Sequence, residues 1–334
     1  MIANHKLTNG YSSPLRYPGG KGKISKFIGR TLEINGIDGT YIEPFAGGAG
    51  VAVNLLLSER VNRIVINDLD DGVYSFWQTV IEDPGYLLKR IREVPFDYNH
   101  RDALSSKEYF SYWTRVKRRF DFDHYTDVRQ KGFDFFMLNR MNVSGIIKGG
   151  PIGGRQQGRR YNISVRFNKD TLQQQIMAIA AMSDRVTVTN LEASHFCKLI
   201  ADGRFGDPSN SLVFVDPPYY VQGRNLYNYY ATDRIHALIA EQLLKANDYC
   251  EWKWLLTYDE AKQIDQLYPD NDVNKYEYRI SYSANKRGRF LEYMFTSQDL
   301  KVLSYSNVQL FNLGDKTIEA SVKNNNPEIA ENQI

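Results

Sequence analysis

Short apolar runs, each closed by a polar or turn-forming residue, recur along this chain and leave it few architectures. "TYIEPF" (40–45), "RIVIND" (63–68) and "LVFVD" (212–216) read as buried strands of the parallel type, and "RVTVTNL" (185–191) and "WKWLLTYD" (252–259) look similar. Helix-competent stretches follow at 50–60, 70–82, 194–201 and 232–246. This alternation predicts an α/β fold, a parallel sheet wrapped by helices. Asp70 and Asp71 suit the N-cap of the second helix, and Thr232 and Asp233 that of the last.

The rhythm changes between about residues 84 and 170. "SSKEYFSYWTRVKRRF" (105–120) reads as a helix with Tyr109, Phe110, Trp113 and Val116 at helical spacing. "KGGPIGGRQQGRRYN" (148–162) is too flexible in composition for regular structure and too basic for burial. The expected organisation is a discontinuous catalytic domain over 1–84 and 171–312, an inserted, mostly helical subdomain over 85–170, and a polar tail over 313–334. A length of 334 residues accommodates either two domains or one with an insertion.

Composition excludes more than it selects. The net charge of +3 does not by itself announce a nucleic-acid binder, so local clusters must carry that case. Twenty-three tyrosines serve either stacking surfaces or cores. Cys197 and Cys250 are too few and too far apart for a Cys-based zinc site or a disulfide framework, and the five histidines show no metal-binding spacing, so no metal is expected. A cytoplasmic, reducing location is the default, with no apolar signal region and no membrane-span pattern in the sequence.

Three stretches carry chemistry. In "YIEPFAGGAGVAVNLLL" (41–57), Gly47, Gly48 and Gly50 form a turn between a strand and a helix, where backbone can approach a ligand and free N–H groups are on offer. About 20 residues on, Asp68 ends the second strand, the usual place for a ribose-binding acid. A nucleoside is the favoured ligand and a dinucleotide stays open. "LRYPGGKGKI" (15–24) adds Tyr17 and Lys21 ahead of the first strand, where a dinucleotide site has no need of them.

The third stretch is "SLVFVDPPYYVQ" (211–222), in which two prolines end an apolar strand and hold the next residues stiffly at its carboxyl end. There Asp216 and the Pro217 carbonyl can accept both hydrogens of an exocyclic amine, with Tyr219 against the ring that carries it. The adenine N6 lone pair is delocalised into the ring. Two acceptors on its hydrogens favour a tetrahedral, nucleophilic nitrogen, by positioning and electrostatics without a metal.

With these motifs in order, the chain resembles the Dam-type, D12-class DNA adenine-N6 methyltransferases, which use S-adenosylmethionine on a Rossmann-like sheet. "RYPGGK" resembles the family's N-terminal motif, with Tyr17 where Trp is usual. "EPFAGGAG" resembles its methionine-binding loop, "NDLD" its acidic ribose motif and "DPPY" its catalytic motif; "FFMLNRMNVSG", "IHALI" and "RGRFLEYMF" also match. The glycine loop precedes DPPY, the α-type order, with target recognition inserted between the two halves. The resemblance spans about residues 13 to 297. It implies cofactor contacts from Tyr17, Lys21, Asp68 and Asp216, with Glu43, Pro44, Phe45, Gly47, Gly48 and Gly50 around the methionine part. It implies catalysis by Asp216, Pro217, Pro218 and Tyr219, and a monomeric enzyme with double-stranded DNA as partner. Asp at 216, rather than Ser or Asn, favours adenine. Cytosine N4, RNA and a catalytically silent DNA-binding module are the alternatives.

A duplex hides N6, so the base must be extruded; that costs a few kcal/mol, to which stacking on Tyr219 returns ~1–3 kcal/mol. Phosphate contacts are expected from "TRVKRR" (114–119), with Arg115, Lys117 and Arg118, unless this stretch forms only a solvated helix face, and from Lys148, Arg155, Arg159 and Arg160. Arg155, Gln156 and Gln157 are the expected base readers, since Arg matches the guanine edge and Gln the adenine edge. Asn139 and Arg140 contact DNA or anchor the loop. That loop departs from the family's usual pattern, so no recognition sequence can be read from it.

Overall fold

The computed structural model describes residues 13–17, 19–220, 232–249, 252–280 and 291–313. Eight strands form one sheet in the order β3-β2-β1-β4-β5-β7-β6-β8. Strands β1 (Thr40–Glu43), β2 (Arg63–Asn67), β3 (Val186–Thr189), β4 (Ser211–Val215) and β5 (Lys253–Asp259) run parallel. Strands β6 (Val273–Ile280), β7 (Leu291–Ser297) and β8 (Val308–Asn312) complete it antiparallel, with β7 against β5. The sequence pattern predicts the parallel part and gives no sign of the antiparallel one.

Alternation along each strand explains the two-sided core. Tyr41, Ile64, Ile66, Leu212 and Phe214 point into one apolar cluster, and Ile42, Val65, Val213 and Val215 into the other. The first cluster lies under α1 (Ser25–Ile34), α2 (Gly50–Leu57) and α3 (Asp71–Glu82); the second lies under α8 (Ala193–Ala201) and α9 (Asp233–Tyr249). At about 1.5–3 kcal/mol per fully buried aliphatic or aromatic side chain, these runs hold the strands more firmly than any surface ion pair.

Between β2 and β3 the chain forms α4 (Pro84–Glu93), α5 (Ser106–Phe122), α6 (Val128–Met141) and α7 (Lys169–Ala180). Asp70 caps α3, accepting from the Gly72 and Val73 amides, while Asp83 with Pro84 starts α4. Ser105 and Glu108 close a reciprocal capping box on α5. Helix α6 lies close along α3: a Cβ on Gly132 would sit 2.5 Å from the Ser75 carbonyl oxygen. Its Phe133, Phe135 and Phe136 join the same apolar cluster as Ile64 and Ile66. The segment read as an insertion thus shares the core of the sheet it interrupts. The tail from 314 onward lies outside the described residues.

The strand order reverses between β1 and β4, since the chain goes from β1 outward through β2 and β3 and then returns to β1's other side. Crevices at the carboxyl ends of strands flanking such a reversal are where open α/β sheets bind ligands. Here the two ends carry "EPFAGGAG" and "DPPY".

Candidate active site

The glycine turn is held from three sides. The Gly47 amide donates to Asp68 Oδ2 at 2.7 Å, the Trp77 indole donates to the Gly47 carbonyl at 3.0 Å, and the Ala46 amide donates to the Asn67 carbonyl at 2.8 Å. Asn67 also joins the strand ends: its Nδ2 donates to the Pro44 and Leu191 carbonyls, and its Oδ1 accepts from the Leu191 amide. Gly47 has φ +46°, and a Cβ there would lie 2.6 Å from the Tyr17 ring; a Cβ on Gly48 would lie 3.0 Å from Tyr17 Cβ. The side-chain space at these two glycines is therefore filled by Tyr17, where the sequence suggested room for a ligand.

A cavity of about 160 Å³ opens beside the turn. Of the residues expected around the cofactor, Tyr17, Lys21, Glu43, Pro44, Phe45, Gly48, Gly50, Asp68 and Asp216 line it; Gly47 does not. Pro218 also lines it, as do Asn67, Leu191 and Ile235, which sequence reasoning missed. Asp68 differs from the expectation in one respect. Both its carboxylate oxygens accept backbone amides, from Gly47 and from Asp70 at 2.9 Å, so it braces the turn as well as facing the cavity. Burial, with the charge of Asp70 beside it, pushes it up to about 7.

Glu43 is buried at the end of β1, where its Oε1 accepts from the Ala52 amide at 3.1 Å. Burial pushes its carboxyl up to about 8, with the charge of Asp216 acting in the same direction. Because this value lies above the ordinary 4.5, the protonated form is favoured on folding. The associated stability is complete below about pH 4.5 and is lost as pH rises through about 8. Glu43→Gln keeps an oxygen for the Ala52 amide and removes the titration. Its melting temperature should exceed that of the wild type by about 2 °C or more at pH 8.5, and the gap should close toward pH 5 in parallel thermal melts.

At the end of β4, Asp216 Oδ1 accepts from Lys21 Nζ at 2.9 Å and from Thr257 Oγ1 at 2.7 Å. Burial raises the Asp216 carboxyl, against which the Lys21 ammonium works. Lys21 Nζ also donates to the Tyr219 hydroxyl at 2.6 Å, and it lies 4.8 Å from the Tyr219 ring centroid. Its side chain is only 4% exposed, so the ammonium is committed to this cluster. The Tyr219 hydroxyl donates in turn to Glu292 Oε1 at 2.8 Å, and Tyr278 donates to Glu292 Oε2. Pro217 is buried behind the turn, and the Tyr220 amide is tied to Asp259 Oδ1 at 2.9 Å. Sequence reading brought Lys21, Asp216 and Tyr219 together but missed Thr257, Tyr278 and Glu292. His236 is buried, with Nδ1 2.7 Å from the Tyr258 hydroxyl.

Residues 17–287 match the family model described as D12 class N6 adenine-specific DNA methyltransferase, a span that holds the glycine turn, the acid at 68 and DPPY. The chain belongs to this family. As a D12-class chain it is similar to the type II methyltransferase M.FokI of Planomicrobium okeanokoites, at 24% identity over 66% of this chain and 31% of that protein. It is also similar to the type II methyltransferase M.MjaIII of Methanocaldococcus jannaschii, at 26% identity over 40% of this chain and 47% of that one. The chain thus spans less than half the length of either relative. Among solved structures it is similar to the rRNA methyltransferase aviRa of Streptomyces viridochromogenes, at 12% identity, with 85% and 87% of the two chains covered and a TM-score of 0.37.

On the side toward the inserted helices, three of the D12-class chain's expected DNA contacts are corrected. Gln157 is buried: its Nε2 donates to the Ile152 and Gly154 carbonyls and its Oε1 accepts from the Ile163 amide, so no amide edge remains for a base. Asn139 is buried and tied through both side-chain atoms to the Arg16 backbone, with a further bond to the Gly145 carbonyl. Arg140 donates to the Arg166 and Pro14 carbonyls. Gln157 organises the loop from within, while Asn139 and Arg140 tie α6 to the segment of Pro14 and Arg16. The loop itself is less loose than its composition suggests, since Pro151 and Ile152 are buried and the Ile152 amide bonds the Met141 carbonyl.

Exposed side chains remain. Arg155, Gln156 and Arg160 are exposed, as is Lys148. Arg159 is exposed and pairs with Asp102 at 3.4 Å. On α5, Arg115 and Arg118 are exposed, whereas Lys117 pairs with Asp121 one turn on. Arg16 and Arg166 lie near one another, and burial with the Arg166 charge lowers the Arg16 guanidinium. Tyr161, 62% exposed, stands beside them. Single arginines outside a run gave no sequence signal for this grouping.

Proposed function

We propose that this chain transfers a methyl group from S-adenosylmethionine to N6 of an adenine extruded from double-stranded DNA. The observation that carries the reading is Asp216, whose Oδ1 is committed to Lys21 and Thr257, leaving Oδ2 to face an incoming amine beside Tyr219. Oδ2 and the Pro217 carbonyl would draw on the two amine hydrogens while Tyr219 holds the base plane. Positive charge developing on nitrogen falls next to a carboxylate whose orientation is fixed in advance.

The lining of the cavity suits that cofactor. It joins an aromatic face (Tyr17), an acid at the ribose position (Asp68), a glycine turn and a buried acid (Glu43) on the same side as Asp216. Bound there, S-adenosylmethionine supplies an electrophilic methyl on a sulfonium. Tyr17 and Phe45 exclude water, and the Asp216 carboxyl stands on the side of the cationic ligand. On this reading 1–84 and 171–312 form the catalytic part and 85–170 the recognition part.

Arg155 and Gln156 remain as base readers, with Lys148, Arg159 and Arg160 on phosphates. Arg155→Ala with Gln156→Ala should relax sequence preference by about 1–3 kcal/mol per lost bidentate contact. Sequencing of DNA methylated by the double variant checks this, and an unchanged preference removes both from the readout. The activity is tested with labelled S-adenosylmethionine and a panel of duplex DNA, single-stranded DNA and RNA. Label confined to DNA, with duplex preferred, supports the reading; label in RNA alone overturns it.

A further inference from the structure

Strand β7 runs against β5, so its first residues lie at the carboxyl ends of the parallel strands. Glu292, paired in register with Asp259, thereby arrives beside DPPY from the far end of the chain. Its carboxylate, in a side chain 17% exposed, accepts the Tyr219 hydroxyl and the Tyr278 hydroxyl and lies 3.5 Å from Lys21 Nζ. The Tyr219 hydroxyl is therefore held from two sides, accepting from Lys21 and donating to Glu292.

We propose that Glu292 is a positioning residue for methyl transfer, which fixes the Tyr219 ring against the target base and shares the Lys21 ammonium with Asp216. This rests on the reading of Asp216 and Tyr219 given above. A phenol ring turns about its Cα–Cβ bond unless its far end is tethered, and Lys21 alone ties that end to a flexible stem. With Glu292 in place the tether runs to a strand of the sheet. Glu292 also sets the charge near Asp216. Among the described residues, the groups facing Asp216 are the Lys21 ammonium, the carboxyls of Glu43 and Glu292, the Thr257 hydroxyl and the phenols of Tyr41, Tyr219, Tyr258 and Tyr278. The negative charge of Glu292 makes Asp216 harder to ionise, opposite to Lys21.

Single-turnover transfer at saturating cofactor and duplex, followed against pH, tests this with Glu292→Gln, Tyr219→Phe and the double variant. Glu292→Gln should lower the rate by about 10- to 100-fold, the scale of a small misplacement of reacting groups. Its acid limb should move to lower pH, because Asp216 loses a negative neighbour; a loss of packing alone would leave the limb in place. The double variant should be no slower than the slower single variant, since both changes weaken one tether. A Glu292→Gln enzyme with wild-type rate and limb overturns the proposal. If that variant does not fold, a wild-type rate in Tyr219→Phe overturns it instead. Asp216→Ala run alongside separates the two levels: transfer that survives it removes the reading of the site, whereas an inactive Asp216→Ala beside an unaffected Glu292→Gln removes only the role of Glu292.

Discussion

Asp216→Ala is expected to lower single-turnover methyl transfer by about 10²- to 10³-fold, the range for removing one preoriented polar group at a site of developing charge. Affinity for duplex DNA, read by fluorescence anisotropy, should hold, because the exposed Arg155, Arg159 and Arg160 lie on other elements. The fold should tolerate the change. Lys21 keeps Glu292 at 3.5 Å and the Tyr219 hydroxyl at 2.6 Å, so no lone ammonium is stranded in the interior. Asp216→Asn should also fail, because its side chain offers one acceptor rather than two. If that oxygen takes the bonds from Lys21 and Thr257, an amide N–H turns toward the substrate amine. Transfer near the wild-type rate in the alanine variant contradicts the amine-binding role.

Lys21→Met should have the largest effect on stability. Removing the ammonium leaves Asp216 and Glu292 facing one another in a buried cluster without their shared cation, and breaking a buried pair in this way costs about 3–5 kcal/mol. Met preserves much of the apolar stem, so the loss reports charge more than packing. The sign of the pH dependence is set by the acids left behind. Without Lys21 the folded-state value of Asp216 rises further above its ordinary 3.8. The stability it contributes is then complete below that value and lost as pH climbs through the raised one. Urea unfolding should therefore show a deficit relative to wild type that is large at pH 8 and smaller at pH 5.5. Equal deficits at the two pH values would place the effect in packing instead.

The two halves of the sheet differ in how far sequence revealed them. Strands β1, β2, β4 and β5 bury both faces, and a run such as Leu212 to Val215 has no other sensible fate than a central parallel strand. Strands β6 and β8 carry charged and polar residues, as in "VNKYEYRI", so no buried apolar run marks them, even though β6 pairs with β7, the next strand in the chain. No local pattern specifies such an edge. The same contrast holds in the site. The glycine turn and DPPY announce themselves because prolines and glycines restrict the backbone locally, and Lys21 lies in a short motif. Thr257 and Glu292 are single polar residues within strands, and only the sheet order brings them to Asp216. Gln157 misled for the opposite reason: a polar side chain in a Gly-rich and Arg-rich stretch reads as surface, while here unsatisfied loop carbonyls and an amide draw it inward.

The most direct measurement identifies the atom that receives the methyl. Unmethylated genomic DNA, treated with the purified protein and isotope-labelled S-adenosylmethionine, is digested to nucleosides and resolved by mass spectrometry. Labelled N6-methyladenine is the predicted product, and its absence from the Asp216→Ala reaction would tie it to this site. Labelled N4-methylcytosine in its place would contradict adenine as the base that Asp216 receives.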